Sequence, residues 1–79
     1  MFVEIVFAGL PMDRDEVEEA LDSAFGPDGE ITGAGSGMGR CHLDLEIEES
    51  LDRGLALERV HSVLAGLGVQ EHATLNVSD

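Results

Sequence analysis

Three histidines, a single cysteine and seventeen carboxylates are the side chains of this chain with the most chemistry to offer. The densest grouping is the run His42-Leu43-Asp44-Leu45-Glu46-Ile47-Glu48, in which polar and apolar residues alternate. In an extended strand that period of two puts His42, Asp44, Glu46 and Glu48 on one face and Cys41, Leu43, Leu45 and Ile47 on the other. An imidazole beside carboxylates can hold a cation, or it can exchange protons where a cleft pushes the pKa values apart. Nothing in the sequence marks a cleft, and pairs such as Glu18-Glu19 and Glu48-Glu49 read as solvated faces. No catalytic residue is therefore assigned.

The other candidates are weaker still. Cys41 faces away from His42, so the two do not form a nucleophile and base. His61 has no second histidine four residues along, which a helical zinc motif needs. His42 and His72 could share a sheet face, but their strands should be separated by the first strand. Ligand spacing alone thus predicts no metal site, and no cofactor is expected. The segment Gly33-Ala34-Gly35-Ser36-Gly37-Met38-Gly39 invites a phosphate-binding reading. Methionine stands where the dinucleotide pattern needs its third glycine, however, and no lysine follows. The segment also joins two strands, whereas phosphate loops lead into a helix N-terminus. A hairpin loop over 33–39 is the expectation, because glycine adopts loop conformations without steric cost.

The elements that position these residues can be read from periodicity. Residues 2–8 are β-branched and aromatic, with Val3, Ile5 and Phe7 on one side and Glu4 on the other. Asp13 is placed to cap a helix carrying Val17, Ala20, Leu21, Ala24 and Phe25 on one face, ended by Gly26-Pro27. A short strand around 30–34 and a longer one over 40–48 follow. Ser50 or Asp52 then caps a second helix over about 52–66, with Ala56, Val60, Val63, Leu64 and Leu67 inward and Leu57 at the margin. Residues 69–77 read as a last strand with Ala73, Leu75 and Val77 inward.

Two one-sided helices and four half-buried strands bury their apolar faces only if both helices lie on one side of the sheet. Right-handed crossovers then predict an α+β sandwich of the ferredoxin-like kind, in the order strand–helix–strand–strand–helix–strand, with the first and third strands central in a four-stranded antiparallel sheet. The open face should carry Glu4 beside His42, Asp44, Glu46 and Glu48. All 79 residues are expected to form one domain.

Charge narrows the function. Four arginines and no lysine oppose the seventeen carboxylates, for a formal charge of −13. Such a surface repels phosphate, so neither nucleic acid nor an anionic membrane is an expected partner. RNA-recognition modules of this topology also need aromatics on the central strands, and the 40–48 strand has none. One cysteine cannot supply the Cys-x-x-Cys loop of a metallochaperone. A carboxylate-rich, lysine-free surface also suits solubility in salt. No stretch is apolar enough to span a bilayer, and Met1-Phe2-Val3-Glu4-Ile5 lacks the basic start of a secretory signal, so a cytoplasmic domain is expected. The leading expectation is a non-catalytic binding domain (an inhibitor, immunity-type or accessory protein) for a basic protein, contacting it through Glu4, His42, Asp44, Glu46 and Glu48. A small dimeric regulatory module binding a metabolite or ion is second, and a small enzyme third.

Overall fold

The computed structural model describes residues 1–78. Its elements run β1 (Phe2–Ala8), α1 (Arg14–Phe25), β2 (Gly29–Gly37), β3 (Arg40–Ile47), α2 (Arg53–Gly66) and β4 (Ala73–Ser78), with single 3-10 turns at 26–28 and 70–72. The strands form one antiparallel sheet in the order β2-β3-β1-β4, so the first and third are central, as the ferredoxin-like arrangement requires.

The core lies between the sheet and the two helices. Val3, Ile5 and Phe7 of β1 and Leu43, Leu45 and Ile47 of β3 meet Val17, Leu21 and Phe25 of α1 and Ala56, Val60 and Leu64 of α2. Val69, just before β4, closes the same cluster. No charged or polar residue is buried among those described. The flanking residues of the expected helix faces, Ala24, Leu57, Val63 and Leu67, pack against the rim of this core, as do Ala73, Leu75 and Val77 of β4.

The helix ends differ from one another. Asp52 caps α2 through its side chain, accepting from the Leu55 N–H at 3.0 Å, which settles the choice between Ser50 and Asp52. Asp13 occupies the N-cap position of α1 but makes no side-chain cap bond. Its carbonyl instead accepts from the Glu16 N–H. At the other end of α1, Gly26 ends the helix as expected, donating its N–H to the Asp22 carbonyl. With φ +53° and ψ −125° it takes a positive-φ conformation open to glycine and not the left-handed helical cap. The Arg59 guanidinium from α2 ties this end down: it donates to the Ala24 carbonyl at 3.4 Å and to Asp28 at 3.2 Å, and it lies 5.0 Å from the centroid of the Phe25 ring.

Three boundaries depart from the sequence reading. β2 runs on to Gly37, so the glycine segment is strand and not loop, and only Met38 and Gly39 turn the hairpin. Both have positive φ, +53° and +77°, the signature of the tight turn whose twist suits a hairpin. β3 ends at Ile47, one residue short of the expected bound, although the Glu48 N–H still donates to the Asp28 carbonyl, the next position of the β2 register. β4 begins only at Ala73, since the chain from 70 to 72 closes a 3-10 turn in which the His72 N–H donates to Val69.

Leu21→Asp and Val60→Asp each place an unpaired charge in this core and should each cost about 3 kcal/mol or more. Glu19→Ala, at an exposed position, should change stability by no more than about 0.5 kcal/mol. Chemical denaturation of the three variants checks both, and equal tolerance of all three would refute the helix faces.

Candidate functional site

One side of the sheet carries no helix, and the register of the strands decides what it displays. Glu4 of β1 stands directly between Asp44 of β3 and Asn76 of β4. One row towards the hairpin, Val6 stands between His42 and Thr74. One row the other way, Phe2 stands between Glu46 and Ser78, and Glu46 is paired in turn with Glu30 of β2. Along β3 the outward residues therefore run Arg40, His42, Asp44, Glu46, a gradient from cationic at the hairpin to anionic at the far end.

Of the five residues singled out from the sequence, three come together closely. Glu4, His42 and Asp44 each present one donor atom within 4.8 Å of the other two. His42 Nε2 lies 3.7 Å from Asp44 Oδ2, beyond hydrogen-bond length, and both side chains are part-exposed, at 38% and 24%. Asn76 Nδ2 donates to Glu4 Oε1 at 3.1 Å and so orients that carboxylate. Glu46 belongs to the next row, where its Oε2 is 3.7 Å from the N-terminal ammonium. Glu48 lies past the strand end. His72 is not part of this face as a strand residue would be; its Nδ1 sits 3.2 Å from the Ala8 carbonyl oxygen, the geometry of a ring that donates there. Cys41 points into the sandwich, packed against the core and away from His42.

The shape of the site depends on residues the sequence reading took for a loop. β2 has a bulge at Thr32: Ile31 pairs with Leu45, and Gly33 is next to pair, with Asp44. One extra residue reverses the alternation, so Gly33 and Gly35 face the open side, where unbroken alternation with Ile31 would have turned them towards the helices. Their missing side chains are what make room. A Cβ at Gly33 would lie 2.7 Å from Asp44 Oδ2, and one at Gly35 would lie 2.6 Å from His42 Cε1. The imidazole and the carboxylate thus lie across the edge strand in the space two side chains would fill. The sequence signal was the spacing of glycines inside a strand, which marks a close approach.

A second feature lies where the face meets the end of α1. An open groove of about 560 Å³ is lined by Asp22, Glu30, Glu46, Glu48, Glu49 and the turn at Gly26-Pro27. Five carboxylates and no arginine line it, and the C-terminal carbonyl end of α1 adds the negative pole of that helix. Glu48, misplaced as a strand residue, and Glu30, not singled out at all, both belong here.

Because the atoms met at Gly33 and Gly35 are the far ends of mobile side chains, Gly35→Ala should move the His42 ring while costing no more than about 1 kcal/mol. Gly37→Ala meets nothing within 4 Å and should leave the ring in place. The His42 ring resonances in a proton–nitrogen NMR spectrum distinguish the two, and identical spectra for both variants would refute the packing. No protein-family model and no curated protein matches this chain. What it does must be read from this geometry.

Proposed function

We propose that the domain is a non-catalytic binding module for a basic protein, which it meets through the anionic end of its open sheet face and the adjoining groove. The observation that carries this reading is the groove itself, a concave surface lined by five carboxylates. Of these, Glu46 lies 3.7 Å from the N-terminal ammonium, while Glu48 and Glu49 also border a smaller pocket with Arg53. Convergent charges of one sign in a concavity focus the field and raise the local concentration of an opposite charge. Glu4, His42 and Asp44 extend the surface along the sheet, and Arg40 marks its cationic limit. The arrangement favours lysine- or arginine-bearing surfaces over phosphate. It also disfavours pairing of two copies through this face, since like charges would meet.

Electrostatic recognition of this kind acts on the association rate and is screened by salt, with a Debye length of about 10 Å at 0.1 M. A hexa-arginine peptide serves as probe. Its binding to the intact chain should weaken by about tenfold or more as ionic strength rises from roughly 0.05 to 0.3 M. Glu30→Gln, Glu46→Gln and Glu48→Gln combined should weaken it by about tenfold further relative to Glu16→Gln, Glu18→Gln and Glu19→Gln combined. The two triple variants lose equal charge, so net charge does not separate them. Equal weakening by both would show that the charge acts diffusely, and the reading would fall.

A further inference from the structure

We infer that Glu4, His42 and Asp44 form a binding site for a divalent transition-metal ion of the Zn²⁺ class, with part of its coordination shell left open to solvent. This does not rest on the basic-partner reading, which is carried by the groove at the other end of the face and counts Glu4, His42 and Asp44 only as an extension of that surface.

The donor set comes first. One imidazole nitrogen with two carboxylates is a mixed nitrogen and oxygen set, suited to Zn²⁺, Co²⁺ or Mn²⁺, whereas Mg²⁺ and Ca²⁺ take oxygen ligands throughout. The histidine separates this triad from the many carboxylates elsewhere on the surface. Geometry comes second. Metal–ligand bonds of about 2.0–2.2 Å place neighbouring donors roughly 3.0–3.5 Å apart. His42 Nε2 and Asp44 Oδ2, at 3.7 Å, are nearly there already, and the triad as a whole lies within 4.8 Å. Closing on an ion asks for movements on the order of 1 Å, which side-chain rotation supplies without disturbing the strands.

Surroundings come third. Asn76 holds Glu4 by its Oε1, the kind of outer-shell hydrogen bond that orients a ligating carboxylate. Gly33 and Gly35 set where the Asp44 carboxylate and the His42 ring can lie, and Cε1, the atom a Cβ at Gly35 would strike, adjoins the Nε2 donor. Arg59 pairs with Asp28, away from the three. Glu4 and Asp44, paired directly across β1 and β3, repel each other, and a cation between them turns that repulsion into attraction.

The test is a calorimetric titration of the intact chain with Zn²⁺ in a buffer that does not chelate it. One saturable site per chain is expected. Glu4→Gln and His42→Gln remove a donor at part-exposed positions without touching the core, and each should abolish saturation. Asn76→Ala and Gly35→Ala keep all three donors yet should weaken binding by about 10- to 100-fold, the usual effect of disturbing a ligand's support. Cys41→Ser, His61→Ala and His72→Ala should bind as the unaltered chain does. Far-UV circular dichroism shows that each variant is folded. Absence of a saturable site in the unaltered chain would overturn the inference, as would a site that survives His42→Gln or is lost in Cys41→Ser. The titration contains no peptide, and the groove variants keep the triad, so either proposal can fail without the other.

Discussion

The register between β1 and β3 governs both the stability of this fold and the character of its exposed face. Pairing Val3 with Leu45 and Ile5 with Leu43 turns four apolar side chains into the sandwich. The same pairing sets Glu4 against Asp44 and Val6 against His42 on the outside. A slip of one residue would bury a glutamate, a histidine and an aspartate and expose the core strands. The two faces cannot be adjusted separately. A cross-strand pair of like charges costs at most about 1 kcal/mol, while each large core side chain contributes roughly 1.5–3 kcal/mol on burial. Burial therefore decides the register, and the carboxylates must accept the neighbours it imposes.

That hierarchy explains why the fold was legible in the sequence and the site only in part. Alternation in residues 41–47 and the one-sided helices around Leu21 and Val60 follow from burial, the strongest term, and the structure reproduces them. The adjacency of Glu4, His42 and Asp44 came with the topology. What the sequence did not reveal depends on one residue of register. The bulge at Thr32 is marked only by the glycines that follow it, a pattern a loop shares, yet it decides which side of β2 is bare. Without it the glycines point to the helices, and reading 33–39 as a loop costs nothing in pattern. Glu30 was missed for a related reason, since its place opposite Glu46 depends on β2 being a full partner of β3.

Glycine on β2 is itself a physical compromise. A side chain at 33 or 35 would give the edge strand more β propensity and something to pack, and glycine gives up both. In exchange, His42 and Asp44 lie down across the edge instead of standing out into water. Their exposures, about two-fifths and one-quarter, are low for polar residues on an uncovered sheet face. Lowered exposure raises the effective strength of any charge placed between them, because fewer waters screen it. The same glycines leave the outer edge of β2 with little side chain to bar another backbone.

The distribution of arginine completes the picture. Arg59 is spent on structure, holding Asp28, the Ala24 carbonyl and the Phe25 ring, and so neutralises the aspartate nearest the end of α1. Arg40 stands at the hairpin end of β3. Neither lines the groove, where Asp22 from the helix meets Glu30 and Glu46 from the sheet and Glu48 and Glu49 from the following linker. These carboxylates come from three separate stretches of chain, so the fold brings Asp22 and Glu30 to the acidic run Glu46-Ile47-Glu48-Glu49. An acidic sequence needs only to keep its charges apart to stay soluble. This one folds so that five of them border a single concavity. The N-terminal ammonium lies 3.7 Å from Glu46, and Arg53 shares the adjoining pocket with Glu48 and Glu49, so the groove is strongly anionic yet partly balanced.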